Sequence, residues 1–375
     1  MVNIITILFG LGGINISTEK NSTFKIVDLE SGMVTAEEVR SEFGGVLIPP
    51  GTKLNRKLIE QLKEMNLKEI KIKTQKAVKE EIDKKKIARK KYQQNLEKFS
   101  DTYKKAYYMK KVDFRAVRSL SEEAMEISDY LDLEDTLKMT RDIDNYTYSH
   151  SLHVGILANK FGKWLHLDQT RLCNLTTAAL LHDIGKSKIK KELLTKPEAL
   201  TAEEYEEVKK HSQYGYQLLK KSSRFSKSIM AGVLTHHERY DGSGYPLALK
   251  AEKIPLFGRI IGICDTFDAL TTDRPYQKSV SPFTAVKMLE EDFNSFDHKL
   301  KSLFIEKIPY SLIGDQVELS NGEIASIVFI NPVHPESPIV KVEDDYIDLN
   351  DKSELSIESL VKDVEEAANN IKIRE

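Results

Sequence analysis

The chain has 375 residues, and its 56 basic and 58 acidic side chains give a formal net charge of −2. This balance excludes the overall basic excess typical of proteins that bind nucleic-acid polymers. Two cysteines are too few for a disulfide framework and favour a reducing, cytoplasmic setting.

The first residues of the chain, 1–24, open with the apolar stretch MVNIITILFGLGG. The stretch is shorter than the roughly 20 residues that a membrane span needs, and no basic residues precede it. We therefore expect a local strand or a misassigned start, and no membrane span. Residues 25–75 combine short β-like runs, Gly and Pro turns and one amphipathic helix, which predicts a small α/β module.

Residues 76–115 are rich in lysine, but interspersed acidic residues dilute the positive field, so we predict a charged helical linker. A homodimer would form through this linker or through the preceding module. Residues 116–308 indicate nearly continuous helix, and eight of the nine histidines lie between positions 150 and 298. Residues 309–375 alternate apolar and polar residues before a short acidic helix, which predicts a small β unit. The expected fold is mainly α.

Five predicted helices place histidine or aspartate on otherwise apolar faces. One such residue is more often an ordinary core residue, but five in succession form a chemically complementary set. Imidazole and carboxylate suit first-row metals, and the absence of cysteine argues against a structural zinc site. Seven ligands are too many for one metal and suit two, an arrangement known for displacement at phosphorus. A structural bundle with incidental histidines is the alternative. The seven are His150, His182, Asp183, His211, His236, His237 and Asp265.

The motifs HDIGK at 182–186 and HHERYDGSGYP at 236–246 resemble those of the HD-GYP family, a branch of the HD metal-dependent phosphohydrolases. The resemblance continues through DTFDALTTDRPY at 265–276 and FDHKL at 296–300. It implies an HD-domain helical bundle and a bacterial phosphodiesterase that hydrolyses cyclic di-GMP at a centre of two or three metals, often iron or manganese.

The resemblance also implies individual roles for these residues. His150, His182, Asp183 and Asp265 would hold one metal, and His211, His236 and His237 the second, with Asp183 bridging. Lys186 would contact the scissile phosphate, and Tyr245 and Arg274 the nucleotide. Asp268 would support a ligand or add a carboxylate. Three-metal members tend to carry Glu four residues before the first histidine, where this chain has Tyr146, so we expect two metals. Gln277 stands where a basic residue is frequent, which predicts a different affinity for the base.

The mechanistic hypothesis is that a hydroxide activated by two metals attacks the phosphodiester in line. Asp183 and Lys186 would assist, and the product would be pGpG, with GMP after a second round. Two alternatives stay open. One is a catalytically weak receptor for cyclic di-GMP, and the other is an HD phosphohydrolase that acts on a different cyclic dinucleotide.

Overall fold

The computed structural model describes residues 21–40, 46–48, 50–52, 54, 56–65, 67–139, 146–196, 198–273, 278–343, 345–352 and 354–361. The chain divides into two compact units, Met1–Ile82 and Asp83–Glu375. Each unit has an apolar core of its own. Among the described residues, no helix is long and apolar enough to cross a bilayer.

The described part of the smaller unit contains two strand pairs, one complete α-helix and a short 3-10 helix at Ile26–Asp28. Its elements are β1 (Asn21–Lys25), β2 (Val39–Arg40), β3 (Val46–Ile48), α1 (Arg56–Glu64) and β4 (Glu69–Lys73). β1 pairs with β4, β2 pairs with β3, and both pairs are antiparallel. β4 buries Ile70 and Ile72 and exposes the residues before them, as a half-buried strand requires. The predicted small α/β unit is confirmed. Its first strand begins at Asn21, and residues 1–20 of the expected N-terminal segment lie outside the described residues.

The larger unit is a bundle of helices followed by a sheet, which confirms the predicted mainly α class. The helices are α2 (Gln75–Met109), α3 (Phe114–Tyr130), α4 (Leu133–Lys138), α5 (Tyr146–Trp164), α6 (Gln169–Leu180), α7 (Lys191–Leu194), α8 (Ala202–Lys209), α9 (His211–Lys220), α10 (Lys227–Thr235), α11 (Leu256–Leu270), α12 (Pro282–Glu291) and α13 (His298–Tyr310). Within the described residues of this unit, two short 3-10 helices, Ile184–Lys188 and Ala251–Lys253, lie between them.

The sheet near the C-terminus comprises β5 (Gln316–Leu319), β6 (Ile324–Phe329), β7 (Ile339–Val342), β8 (Asp345–Asp348) and β9 (Ile357–Leu360). The strand order is β8-β7-β6-β5-β9, and every neighbouring pair is antiparallel. Val317, Ile327 and Val340 belong to the same apolar cluster as the helices. The predicted β unit is therefore present and shares the core of the bundle. The acidic helix expected after it falls on residues 362–375, which lie outside the described residues.

Helix α2 differs from the charged linker predicted over 76–115. Its lysines are mostly exposed, but Tyr92 and Phe99, seven residues apart on one face, are only 0% and 1% exposed and belong to the core of the bundle. The buried face also includes Asn95 and Thr102, which interrupt the apolar period in the sequence. Because two of the buried side chains are polar, the composition of α2 does not reveal that one face is buried. The structure places α2 in the bundle, whereas the sequence predicted a linker.

Candidate metal centre

All seven predicted ligands converge in the bundle. His150 lies in α5, His182 and Asp183 directly follow α6, His211 begins α9, His236 and His237 follow α10, and Asp265 lies in α11. In two groups of these residues, the possible ligand atoms lie within 4.8 Å of one another: His150, His182 and Asp265 in one, and Asp183, His211, His236 and His237 in the other. The side chains of His237 and Asp265 keep 20% and 14% exposure, and the rest are buried.

Asp183 faces both groups. Its Oδ2 lies 3.4 Å from Nε2 of His182, and its Oδ1 lies 3.4 Å from Nε2 of His211. The two oxygens of a carboxylate can each accept a different partner. One side chain therefore connects the two groups, in the position that the sequence predicted for a bridging ligand.

Three of the histidines are held in one tautomer by a backbone carbonyl three residues earlier in the chain. In each, Nδ1 lies 2.7–2.9 Å from the carbonyl oxygen three residues earlier, and because a carbonyl only accepts, Nδ1 must donate. A neutral ring then has an unprotonated Nε2, which is the atom left for a metal. The pairs are His182 with Ala179, His211 with Val208, and His236 with Val233.

Several of the possible ligand atoms have no suitable hydrogen-bond partner, and this also fits a site for divalent metals. Nε2 of His211 lies 3.3 Å from Nε2 of His236, and two lone pairs cannot hydrogen bond to each other. Nε2 of His182 and Oδ1 of Asp183 are buried and make no hydrogen bond within the described part of the chain. Buried polar atoms without partners are costly, and cations held by the two ligand groups would remove that cost.

The charge states also match what metal ligands require. Burial lowers the pKa of His211, and lowers those of His236 and His237 well below their usual range. Burial alone would raise the pKa of Asp183, but the Lys186 ammonium and His182 hold it well below its usual value. Metal ligands must be neutral imidazoles and ionised carboxylates. These side chains adopt those forms near neutral pH.

His150 is oriented by Asp268, which is fully buried. Nδ1 of His150 lies 2.7 Å from Oδ2 of Asp268, and Nε2 lies 3.1 Å from Oδ1 of Asp265. Burial alone would lower the pKa of His150, but hydrogen bonds to Asp265 and Asp268 raise it to about 9. A cation bound between His150 and Asp265 would replace the proton that they share. The predicted supporting place of Asp268 thus has a geometric basis.

Lys186 lies in the 3-10 helix next to Asp183. Its Nζ is 2.6 Å from Oδ2 of Asp183, and 28% of its side chain is exposed. The ammonium therefore lies at the edge of the ligand groups with access to solvent. That is where an incoming anion would meet it.

Gly185 permits the close approach of the Asp183 segment to α9. A Cβ at this position would lie 1.8 Å from the carbonyl oxygen of His211 and 2.5 Å from the backbone nitrogen of Gly215. Both obstacles are backbone atoms, which cannot move aside as a side chain can. The glycine in HDIGK is thus a packing requirement of the site.

The loop after the paired histidines brings Tyr245 onto the second group. The Tyr245 ring stacks on His237, with centroids 4.7 Å apart and planes at 29°. Burial raises the pKa of the Tyr245 hydroxyl, so it stays a neutral donor. Gly244 fits only without a side chain, because a Cβ would lie 2.4 Å from the His237 carbonyl oxygen.

Glu238 is a functional candidate that the sequence reasoning missed. It is 5% exposed, and its carboxylate accepts hydrogen bonds from the backbone N–H groups of Leu247 and Leu249 at 2.7 and 2.9 Å. These two bonds hold the loop that carries Tyr245. An acidic residue between a histidine pair and a glycine-rich turn is the only sequence signal for it.

Three predicted positions lie wholly or in part outside the described residues. Arg274 and Gln277 lie outside the described residues. Tyr146 begins α5, but its side chain also lies outside them.

Comparison with known proteins identifies the domain that carries these residues. Residues 124–300 match the family model of the HD domain, and all seven predicted ligands fall within this range. This part of the chain is therefore similar to the HD domain family, in agreement with the resemblance seen in the sequence.

Three relatives refine the comparison. A cyclic di-GMP phosphodiesterase of Pseudomonas aeruginosa is 35% identical over 49% of this chain and 45% of its own length. One of Thermotoga maritima is 32% identical over 58% of this chain and 59% of its own. A 3′3′-cGAMP-specific phosphodiesterase of Vibrio cholerae is 37% identical over 40% of this chain and 32% of its own. The matches thus span about a third to three fifths of these relatives.

Proposed function

We propose that this chain is a metal-dependent phosphodiesterase that hydrolyses cyclic di-GMP. The observation that carries the proposal is Asp183, which faces two groups of buried imidazole and carboxylate ligands within one HD domain. Two adjacent cations suit in-line displacement at phosphorus. The names of the Pseudomonas and Thermotoga relatives support cyclic di-GMP as the substrate.

His150, His182 and Asp265 would hold one metal and His211, His236 and His237 the other, with Asp183 between them. Nitrogen and oxygen donors without sulfur suit first-row divalent metals, and among these the family resemblance implies iron or manganese. Bound there, two divalent cations would lower the pKa of a water molecule and neutralise charge on the phosphate.

The residues around the ligands would bind and orient the substrate. Lys186 would donate hydrogen bonds to a phosphoryl oxygen and stabilise the charge that develops on it. Tyr245 covers one side of His237 and would donate its neutral hydroxyl to the nucleotide. Arg274 would pair with a phosphate or a guanine edge, since its planar group matches both. The first cleavage would give pGpG and a second would give GMP.

Anaerobic reconstitution tests the proposal. The full chain is loaded with Fe(II) or Mn(II), metal content is measured, and products from cyclic di-GMP and 3′3′-cGAMP are separated by chromatography. We expect linearisation of cyclic di-GMP by the wild type and by His334→Ala, which removes a histidine from the C-terminal region outside the ligand groups. The His182→Ala/Asp183→Ala double variant should be inactive.

Three outcomes would contradict the proposal in different ways. Metal-loaded protein that binds cyclic di-GMP without product would be a receptor. Preferential cleavage of 3′3′-cGAMP would mean that the chain is a phosphodiesterase for a different cyclic dinucleotide. Protein that binds no metal would leave only a structural bundle.

Dimerisation through α2 or the smaller unit stays a prediction that sedimentation velocity tests.

A further inference from the structure

Helix α2 reaches the metal centre through a chain of buried polar side chains. The hydroxyl of Tyr92 lies 2.6 Å from Nε2 of His153, and Nδ1 of His153 lies 3.5 Å from Oδ1 of Asp268. The other oxygen of Asp268 lies 2.7 Å from Nδ1 of His150. Tyr92, His153 and Asp268 are 0% exposed and His150 is 3% exposed.

The donor and acceptor roles of these groups determine where each proton lies along this series of side chains. An ionised carboxylate only accepts, so attraction between Asp268 and His153 requires the proton of the neutral ring on Nδ1. Nε2 of His153 then has a lone pair, and the Tyr92 hydroxyl must donate to it. At the other end, His150 donates from Nδ1 to Asp268, which leaves Nε2 of His150 for the metal.

We propose that Tyr92 and His153 are positioning residues that fix the orientation of the metal ligand His150 through Asp268. The proposal deepens the proposed function, since it rests on His150 as a ligand. Without the Tyr92 hydroxyl, Nε2 of His153 loses its donor, and only the longer 3.5 Å contact with Asp268 still favours the proton on Nδ1. The His153 ring is then held less firmly, and so is the Asp268 carboxylate that it faces.

Outer partners of metal ligands matter even though they never touch the metal. Their removal commonly weakens metal binding by about 10–100-fold. Tyr92 acts through two intervening side chains, so we expect a loss at the low end, on the order of tenfold. The loss of affinity should appear in only one of the two metal-binding steps, because Tyr92 is connected through His153 and Asp268 with the ligand group that contains His150.

The test is Mn(II) titration of the full chain by calorimetry, with thermal melting of each variant. Tyr92→Phe removes one hydroxyl and should weaken one binding step about tenfold. Ser121→Ala is the matched control. Ser121 is also 0% exposed, and its hydroxyl bonds to Val117 and Thr177, within the bundle but away from the ligands. The Ser121→Ala variant should therefore be less stable than the wild type but bind metal with the same affinity.

A second variant tests the route of the coupling. His153→Asn keeps an amide donor near the place of Nδ1 but has no acceptor that reaches Tyr92. In this background Tyr92→Phe should cause no further loss of metal affinity. Unchanged affinity in Tyr92→Phe, an equal loss in Ser121→Ala, or a full further loss in the His153→Asn background would each overturn the inference. These titrations contain no nucleotide, so a protein that binds both metals but cleaves nothing would overturn only the proposed function.

Discussion

Gly185→Ala is the substitution whose consequence can be worked out most directly. The new Cβ would lie 1.8 Å from the His211 carbonyl oxygen, and ordinary contact begins at 3.4 Å, so the two segments must separate by about 1.6 Å. Asp183 Oδ1 and His211 Nε2 are now 3.4 Å apart. A displacement of this size along their separation would bring them to about 5 Å, whereas two atoms that each lie about 2.1 Å from one ion are at most about 4.2 Å apart.

We expect Gly185→Ala to weaken the metal site that contains His211 and to destabilise the fold by about 1–3 kcal/mol, the usual range for overpacking. Gly162→Ala is the control, because the nearest atoms to the new Cβ are the ends of flexible side chains: Leu172 Cδ1 at 2.6 Å, Leu175 Cδ2 at 3.0 Å and Leu167 Cδ1 at 3.4 Å. Metal content and Mn(II) titration measure the first effect, and thermal melting measures the second. Normal affinity for two metals in Gly185→Ala would refute the packing argument.

Three further predictions follow from the same geometry. His237→Ala removes one ligand that is 20% exposed, so one metal should be lost, while the melting temperature measured in chelator should differ little from that of the metal-free wild type; elemental analysis that finds two metals would contradict the assignment. Glu238→Gln weakens the acceptor for two backbone N–H groups at a cost of about 1–2 kcal/mol, and should raise KM for cyclic di-GMP roughly tenfold without altering metal content. Chelation should lower the melting temperature of the wild type, because a ligand bound only to the folded state stabilises it; the His182→Ala/Asp183→Ala double variant should show no such shift.

The sequence alone determined which side chains are available for chemistry. Helical spacing places His150 on the same stripe as Val154 and Leu157, and places His211 in line with Val208 and Leu218. The motifs HDIGK, HHERYDGSGYP and DTFDALTTDRPY locate the other candidate ligands. Side-chain type and periodicity are local properties, so they can be read without the fold. The mainly α class, the two small flanking units and the HD resemblance follow from the same local signals.

Only the tertiary structure decided which faces meet. His150 and Asp268 are 118 residues apart and in contact, and helical periodicity does not say which other helix a face will pack against. The division of the ligands into two groups and the hold of Glu238 on its loop depend on such contacts. Tyr92 shows the same limit most clearly: it lies in a lysine-rich helix, and its partner His153 is 61 residues away. The lysine-rich composition around Tyr92 predicts exposure to solvent, whereas the packing of α2 into the bundle buries Tyr92 against His153, near the predicted metal ligands.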